Sequence, residues 1–210
     1  MIAVFTMTID HVGAILLPEF LVLRVVGRVA FPIFCYLLVL GIEGTRKQRD
    51  YLIRLCSFGL VSQIPYFLAF GIDPFERLNI LFTLFFGASA IFLFKRQNLL
   101  LILPVLAAVA LNSEGGIFGI AFIVCMKVLR ENTELGILAL FILNSPFLIA
   151  GDIQVLSLAA LPLIILHKEG WLRIVVETTE DSVYFSWKKY FFYVYYPLHL
   201  TILYMIELFP

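Results

Sequence analysis

The sequence predicts an all-α, polytopic integral membrane bundle of about nine transmembrane helices, with its N-terminus in the cytoplasm. Three observations predict it. First, 62% of the 210 residues are hydrophobic and only 14% are charged, against roughly 45–50% and 25% in soluble domains. A soluble domain of this size could not keep so much apolar surface out of water, and a disordered chain would need few apolar residues and a high net charge. Second, charged and turn-forming residues divide the chain into about nine apolar runs. Third, the basic residues alternate from loop to loop.

The runs cover roughly 2–17, 22–42, 52–71, 78–94, 98–112, 116–129, 135–150, 153–167 and 190–208. A spanning helix needs about 20 mostly apolar residues, with a lower limit near 17. Several runs are short, and the sixth and eighth are expected to tilt differently or to stop short of a full crossing. No basic segment precedes the first run, whose first charge is Asp10, so it is expected to remain as the first span. In the second run, Pro32 should interrupt the helix ladder near the carbonyl of Arg28. In the sixth, Gly115-xxx-Gly119 permits close helix packing. Cys35, Cys56 and Cys125 lie inside apolar runs with no CxxC spacing. They read as packing residues, not as a disulfide framework or a zinc site.

The even loops carry 12 of the 15 basic residues, including Arg46, Lys47, Arg49, Lys95, Arg96, Lys127, Arg130 and Lys168. The odd loops hold Arg24, Arg28 and Arg77 beside several acids. The positive-inside rule therefore places the even loops in the cytoplasm. The eighth loop, 168–189, is the one sizeable polar segment; Trp187-Lys188-Lys189-Tyr190 at its end resembles an interfacial anchor. Residues 1–210 form one domain. Equal numbers of acids and bases give zero formal charge, so nothing marks a nucleic-acid surface, and no residue cluster calls for a metal.

Ionisable side chains at membrane depth cost roughly 2.5–3.5 kcal/mol each by insertion scales. Those that persist are the informative ones. Asp10 and His11 are adjacent in the first run and point about 100° apart on a helix, so they cannot form a simple dyad. One should meet a cation on another helix while the other faces a cavity. Arg24 and Arg28, four apart, share a helix face that suits a phosphate or carboxylate. Alternatively Arg28 neutralises Asp10 and Arg24 reaches toward the headgroups. His199 follows Tyr195, Tyr196 and Pro197. It suits a polar pocket, or a hydrogen bond to the carbonyl that Pro197 frees. Gln63, Asn79 and Glu114 lie in the outer half with Arg24. A single cavity opening outward would collect all of these residues.

The same residues carry a resemblance. Met7 to Ala14, around Asp10-His11, is similar to the opening signature of the TraX family. The run from Leu23 to Phe34, with Arg24, Arg28 and Pro32, looks like its second block. Glu43-Gly44-Thr45-Arg46, Tyr51 to Leu55, Ile64-Pro65 and Leu78 to Thr83 match further blocks, and Lys189 to Leu200 matches the family's close. Residues 95–185 are only generically similar. The chain departs from the pattern at Gln63 and Phe67, where members often carry acids. Glu114-Gly115-Gly116 stands near an expected Asp-Tyr-Gly element.

The resemblance implies a multi-pass acetyltransferase of the cell (inner) membrane, with acetyl-CoA as donor. The acceptor is an amine or hydroxyl, such as a processed pilin N-terminus, a surface glycan or a lipid amine. Acyl transfer needs a base and a stabilised oxyanion. On this reading His11 is the base, or alternatively a transient acyl carrier, and Asp10 pairs with a cation to join the first two helices. His199 with Tyr196 polarises the thioester or orients the acceptor. Asn79 supplies an oxyanion donor, and Arg24, Arg28, Gln63 and Glu114 contact the substrates. Lys47 and Arg54 are better placed than Arg24 for the donor's phosphates. Two other readings use the same residues: a small proton-coupled transporter, and an assembly factor whose buried charges only fix packing. No internal repeat of the kind common in transporters is visible.

Overall fold

The computed structural model describes residues 1–96, 99–171 and 183–209, and for 183–189 the backbone helix alone. Its helices are α1 (Ile2–Ile15), α2 (Leu21–Gly27), α3 (Ala30–Gly44), α4 (Gln48–Phe70), α5 (Ile80–Phe94), α6 (Ile102–Ala110), α7 (Gly116–Glu131), α8 (Thr133–Ala150), α9 (Leu161–Lys168) and α10 (Val183–Leu208). Short 3-10 turns at Leu99–Leu101 and Ile153–Ala160 lead into α6 and α9. With α2 and α3 taken as one unit, the described residues form nine helical units that coincide in place with the nine apolar runs. Four of these are long and apolar enough to cross a membrane: Leu21–Gly44, Gln48–Phe70, Thr133–Ala150 and Tyr190–Leu208. The units at Ile2–Ile15, Ile80–Phe94, Leu99–Ala110 and Ile153–Lys168 are apolar but shorter.

The breaks have local causes. Pro32 lacks the N–H that would bond the Arg28 carbonyl, and the helix is interrupted at Arg28 and Val29. Pro32 itself falls in the first turn of α3, where a missing donor costs nothing. Asn79 starts α5 by accepting a hydrogen bond from the Leu81 amide at 3.0 Å, and Asn132 starts α8 in the same way through Leu135.

The helix α3 runs through the middle of the bundle and touches α1, α4, α5, α7 and α9. Its Cys35, Val39 and Ile42 are fully buried. Cys35, Cys56 and Cys125 are all free thiols. Apolar residues also cover the outside: Ile53, Leu60, Val61 and Ile64 on α4, and Leu135, Leu138, Phe141 and Ile142 on α8, are exposed. In lipid these faces carry no hydrophobic penalty.

Charges sort to the two ends of the bundle. At one end Glu43 bridges Lys95, at 3.0 Å, and Arg130, tying α3 to α5 and α7. Lys168 donates to the Leu129 carbonyl at 2.9 Å and so holds α9 on α7. At the other end Gln63 donates to the Arg77 carbonyl at 2.7 Å, and Asn112 donates to the Glu76 carbonyl at 2.8 Å. The loop expected over 168–189 falls largely outside the described residues, as do the side chains of Trp187, Lys188 and Lys189.

The close approach anticipated for Gly115 and Gly119 is to α5. A Cβ at either position would lie 2.8 or 2.6 Å from the Thr83 methyl. Thr83 is itself fully buried and donates no freedom to move; its hydroxyl accepts from the Gly115 amide at 3.1 Å. Gly119→Ala should therefore destabilise the protein by about 1–3 kcal/mol through overpacking. Thermal unfolding in detergent reads this directly, and an unchanged Tm would show that α5 and α7 are not held at this spacing.

Candidate functional site

The helix α1 presents Asp10 and His11 to different neighbours. Asp10 faces α2, where both arginines reach it. Arg24 Nη1 lies 2.8 Å from Asp10 Oδ2 and 3.0 Å from the Asp10 backbone carbonyl. Arg28 Nη2 lies 2.9 Å from Oδ1 and 3.2 Å from Oδ2. Arg28 Nη1 extends to Gln154 Oε1 at 3.0 Å, which brings in the segment after α8. The space for this clamp comes from Gly27: a Cβ there would lie 2.2–2.5 Å from the Asp10 carboxyl and Cβ atoms.

His11, one residue on, faces α10. Its Nδ1 lies 2.7 Å from His199 Nε2, with the rings 9° from parallel. A separation this short requires an N–H···N hydrogen bond. The proton positions follow from the next partner along. His199 Nδ1 lies 2.9 Å from the Tyr195 backbone carbonyl, which can only accept. His199 is therefore protonated on Nδ1 and accepts at Nε2, and His11 donates from Nδ1. The lone pair of neutral His11 is left on Nε2, which makes no hydrogen bond among the described residues. The carbonyl that fixes this order belongs to Tyr195, four residues before His199. It is not the Tyr193 carbonyl that Pro197 frees.

The pair is held on both sides. Thr8 donates its hydroxyl proton to the Val4 carbonyl at 2.9 Å, so the Tyr195 hydroxyl donates to Thr8 Oγ1 at 2.6 Å and pins α10 to α1. The Phe70 ring meets His11 edge-on at 5.7 Å between centroids. Tyr196 packs against both imidazoles, and its buried hydroxyl has no hydrogen-bond partner among the described residues.

A cleft of about 550 Å³ opens beside His11. Asp10, Arg28, Glu114, Asp152 and Gln154 supply its polar lining, and Phe31, Phe34, Phe118 and Phe147 supply apolar walls. Glu114 stands in the loop between α6 and α7. Glu114 keeps an exposed outer edge, but the helices packed around its loop desolvate the carboxyl and push it up from 4.5 to about 7, against the opposing pull of Arg77.

The structure thus brings together Asp10, His11, Arg24, Arg28, Glu114, Tyr196 and His199. It places Asn79 and Gln63 elsewhere in function. Asn79 is fully buried; its Nδ2 donates to the Gly59 carbonyl and to Gln63 Oε1, both at 2.8 Å, while its Oδ1 caps α5. Gln63 uses its other end on the carbonyls of Arg77 and Pro74. Together the two hold the loop before α5 against α4, so neither has a group free for an oxyanion or a substrate. Arg24 is spent on Asp10 and is absent from the cleft lining. Sequence reasoning missed Gln154 and Thr8 as partners. Gln154 was the more legible, being a polar side chain at the start of an apolar run. Among the described residues no cluster of His, Cys, Asp or Glu is arranged to hold a metal.

A family model described as TraX protein matches residues 1–207 of the chain. A probable fimbrial assembly protein, FimC of serogroup H1 from Dichelobacter nodosus, is 25% identical over an alignment of 232 residues, which covers 99% of this chain and 93% of that protein. An uncharacterized protein of Rickettsia prowazekii (strain Madrid E) is 33% identical over 96 residues, covering 46% of this chain and 36% of that protein. No solved structure matches.

Two outcomes follow from this geometry. Asp10→Asn leaves two guanidinium groups facing each other without their anion; it should cost about 2–4 kcal/mol, less than a fully buried pair because the clamp borders the cleft. Gly27→Ala should reproduce part of that loss by displacing Asp10. Unfolding curves for the two variants and their combination would show non-additive losses; additive ones would mean that Gly27 does not act through Asp10. The second outcome concerns pH. A carboxyl whose folded-state value lies above its unfolded one binds an extra proton when folded, so it favours folding at low pH. For Glu114 that advantage should fade as pH rises from about 4.5 to about 7. Tm measured against pH in Glu114→Gln should lack this decline; an identical slope in both proteins would remove Glu114 as its source.

Proposed function

The chain belongs to the TraX family, and from that premise we propose that it is a cell-membrane acetyltransferase. It moves an acetyl group from acetyl-CoA to an amine or hydroxyl on the far side of the membrane. Relatedness to a probable fimbrial assembly protein favours a processed pilin N-terminus as that acceptor. In this reading all nine helical units lie in the cell membrane, and the end bearing Lys95 and Arg130 faces the cytoplasm, as does the N-terminus.

The observation that carries the reading is the ordered imidazole pair. A backbone carbonyl sets His199, His199 sets His11, and a lone pair is left on His11 Nε2 beside a cleft. A neutral, oriented imidazole is the usual base near pH 7. An α-amino group has an ordinary value of about 8 and arrives largely as ammonium. Two protons must therefore leave the acceptor nitrogen before the amide is complete. Glu114 lies in the same cleft and takes the first. His11 Nε2 takes the second as the C–N bond forms, and passes it to the departing sulfur. His199 shares the resulting charge through the N–H···N bond. Tyr196, whose ring packs against both imidazoles and whose buried hydroxyl is unpartnered among the described residues, stands behind His11 outside the cleft lining and is the donor suited to a developing oxyanion. Acetyl-CoA, when bound, supplies the acetyl group as a thioester; the orphaned Tyr196 hydroxyl and the free Nε2 fit its carbonyl end. Asp10, Arg24 and Arg28 hold α1 and α2 in place and take no proton.

The experiment is acetyl transfer by the full chain in nanodiscs. It uses labelled acetyl-CoA and a peptide with a free, pilin-like N-terminus, read by intact mass. The wild type should add one acetyl group, and His11→Ala should lower the rate about 100-fold or more. Full activity in His11→Ala, or no acetylated amine or hydroxyl with the wild type, would overturn the reading.

A further inference from the structure

A second cavity, of about 310 Å³, lies at the opposite end of the bundle from the His11 cleft. The turn between α3 and α4 forms one side of it, with Arg46, Lys47 and Arg49, and the end of α5 forms the other, with Phe92 and Arg96. Asp50 is the one acid in its lining. The turn is built by two hydrogen bonds: Gln48 Nε2 donates to the Ile42 carbonyl at 2.9 Å, and the Lys47 amide donates to Thr45 Oγ1 at 3.2 Å. Across the cavity the Arg96 guanidinium sits 3.7 Å over the Phe92 ring, which holds it in place.

The distinguishing feature is which cations are paired. At this end of the bundle Lys95 and Arg130 share Glu43, Lys127 meets Glu131 at 2.5 Å, and Lys168 meets Thr133 at 2.5 Å and the Leu129 carbonyl. Arg46, Lys47, Arg49 and Arg96 form no ion pair with any described residue, and all four are exposed around one concavity. Membrane orientation requires positive charge at this end but not a cavity. Four cations around one cavity repel each other, and that repulsion is relieved only when an anion joins them. The start of α4 adds to this: no side chain caps it, and the dipole of a 23-residue helix favours negative charge there. Arg54, by contrast, is turned toward α10. It lies 5.2–5.9 Å from the rings of Tyr51, Tyr190 and Tyr193 and does not line the cavity.

We propose that this cavity binds the phosphates of a cytosolic phosphorylated ligand, and that the ligand is the nucleotide end of the acyl donor. The identification of the ligand rests on the acetyltransferase reading above. The helix α5 links the two sites. Phe92 lines the basic cavity and Ile80 lines the His11 cleft, twelve residues or about 18 Å apart along the helix. A donor whose phosphates and thioester lie at opposite ends of one long, flexible arm matches two sites so separated.

The test uses the full chain in phosphatidylcholine nanodiscs, with CoA, inorganic pyrophosphate and acetyl-pantetheine as probes. Lys47→Gln/Arg49→Gln and Arg96→Gln should each weaken CoA binding by roughly tenfold per charge-assisted contact removed. Pyrophosphate should compete with CoA, and acetyl-pantetheine, which has no nucleotide phosphates, should bind equally to all variants. All three side chains are exposed, and size-exclusion profiles are to check that the variants fold. Unchanged CoA affinity in both variants, with His11-dependent acetyl transfer intact, would overturn the phosphate site and leave the acetyltransferase standing. A parallel arm adds anionic lipid to the nanodiscs; variants that differ from the wild type only in that arm would reassign the cavity to headgroups and overturn the proposal. Pyrophosphate binding that falls in the variants, without any binding of CoA, would overturn the donor assignment and the acetyltransferase reading together.

Discussion

The clamp of Arg24 and Arg28 on Asp10 is the interaction on which the rest of the site depends. A carboxylate largely removed from water persists only when it is paired, and here two guanidinium groups and one carboxylate form a single cluster. The pairing sets the rotation of α1 about its axis. Successive residues point about 100° apart, so turning Asp10 toward α2 turns His11 toward α10. The 2.7 Å bond between His11 and His199 follows from that rotation. Gly27 is what allows α1 and α2 to come close enough, because no side chain stands between its backbone and the Asp10 carboxyl.

Polar groups in this bundle do two kinds of work, and hydrogen-bond accounting separates them. Asn79 and Gln63 use their donors and acceptors on each other and on backbone, and their effect is to start α5 at one place against α4. Glu43 does the same with cations at the other end. Among the described residues, the groups left with unused capacity include the Nε2 of His11, the hydroxyls of Tyr196, Ser62 and Ser113, and the four cations around the α3–α4 turn, which have no ion-pair partner. Near the two ends of α5, Ile80 lines the His11 cleft and Phe92 lines the basic cavity.

Much of the architecture was legible in the sequence. The nine apolar runs became the nine helical units, because lipid-facing helices announce themselves by composition and their ends by charge and turn residues. The break before Pro32 followed from one missing N–H. The site was legible as a set of residues but not as a set of roles. Asn79 and His199 both looked like polar residues out of place. One is a helix cap and the other half of a hydrogen-bonded imidazole pair, and only their partners distinguish them. Length along the chain was equally misleading: His11 and His199 are separated by 188 positions and share a hydrogen bond.

By itself the sequence determined that the chain is an apolar helical bundle, roughly where its helical units lie, and which ionisable residues interrupt its apolar runs. Those are properties of local composition and of the 3.6-residue period, which need no knowledge of neighbours. The tertiary structure alone decided that Asp10 is held by both arginines, that the Tyr195 carbonyl orders the protons of two histidines, and that four cations share one cavity without an acidic partner among the described residues. Each depends on which helices touch and on how each is rotated about its axis. In so uniformly apolar a chain, few polar pairs carry that information, and they act only once the helices have met.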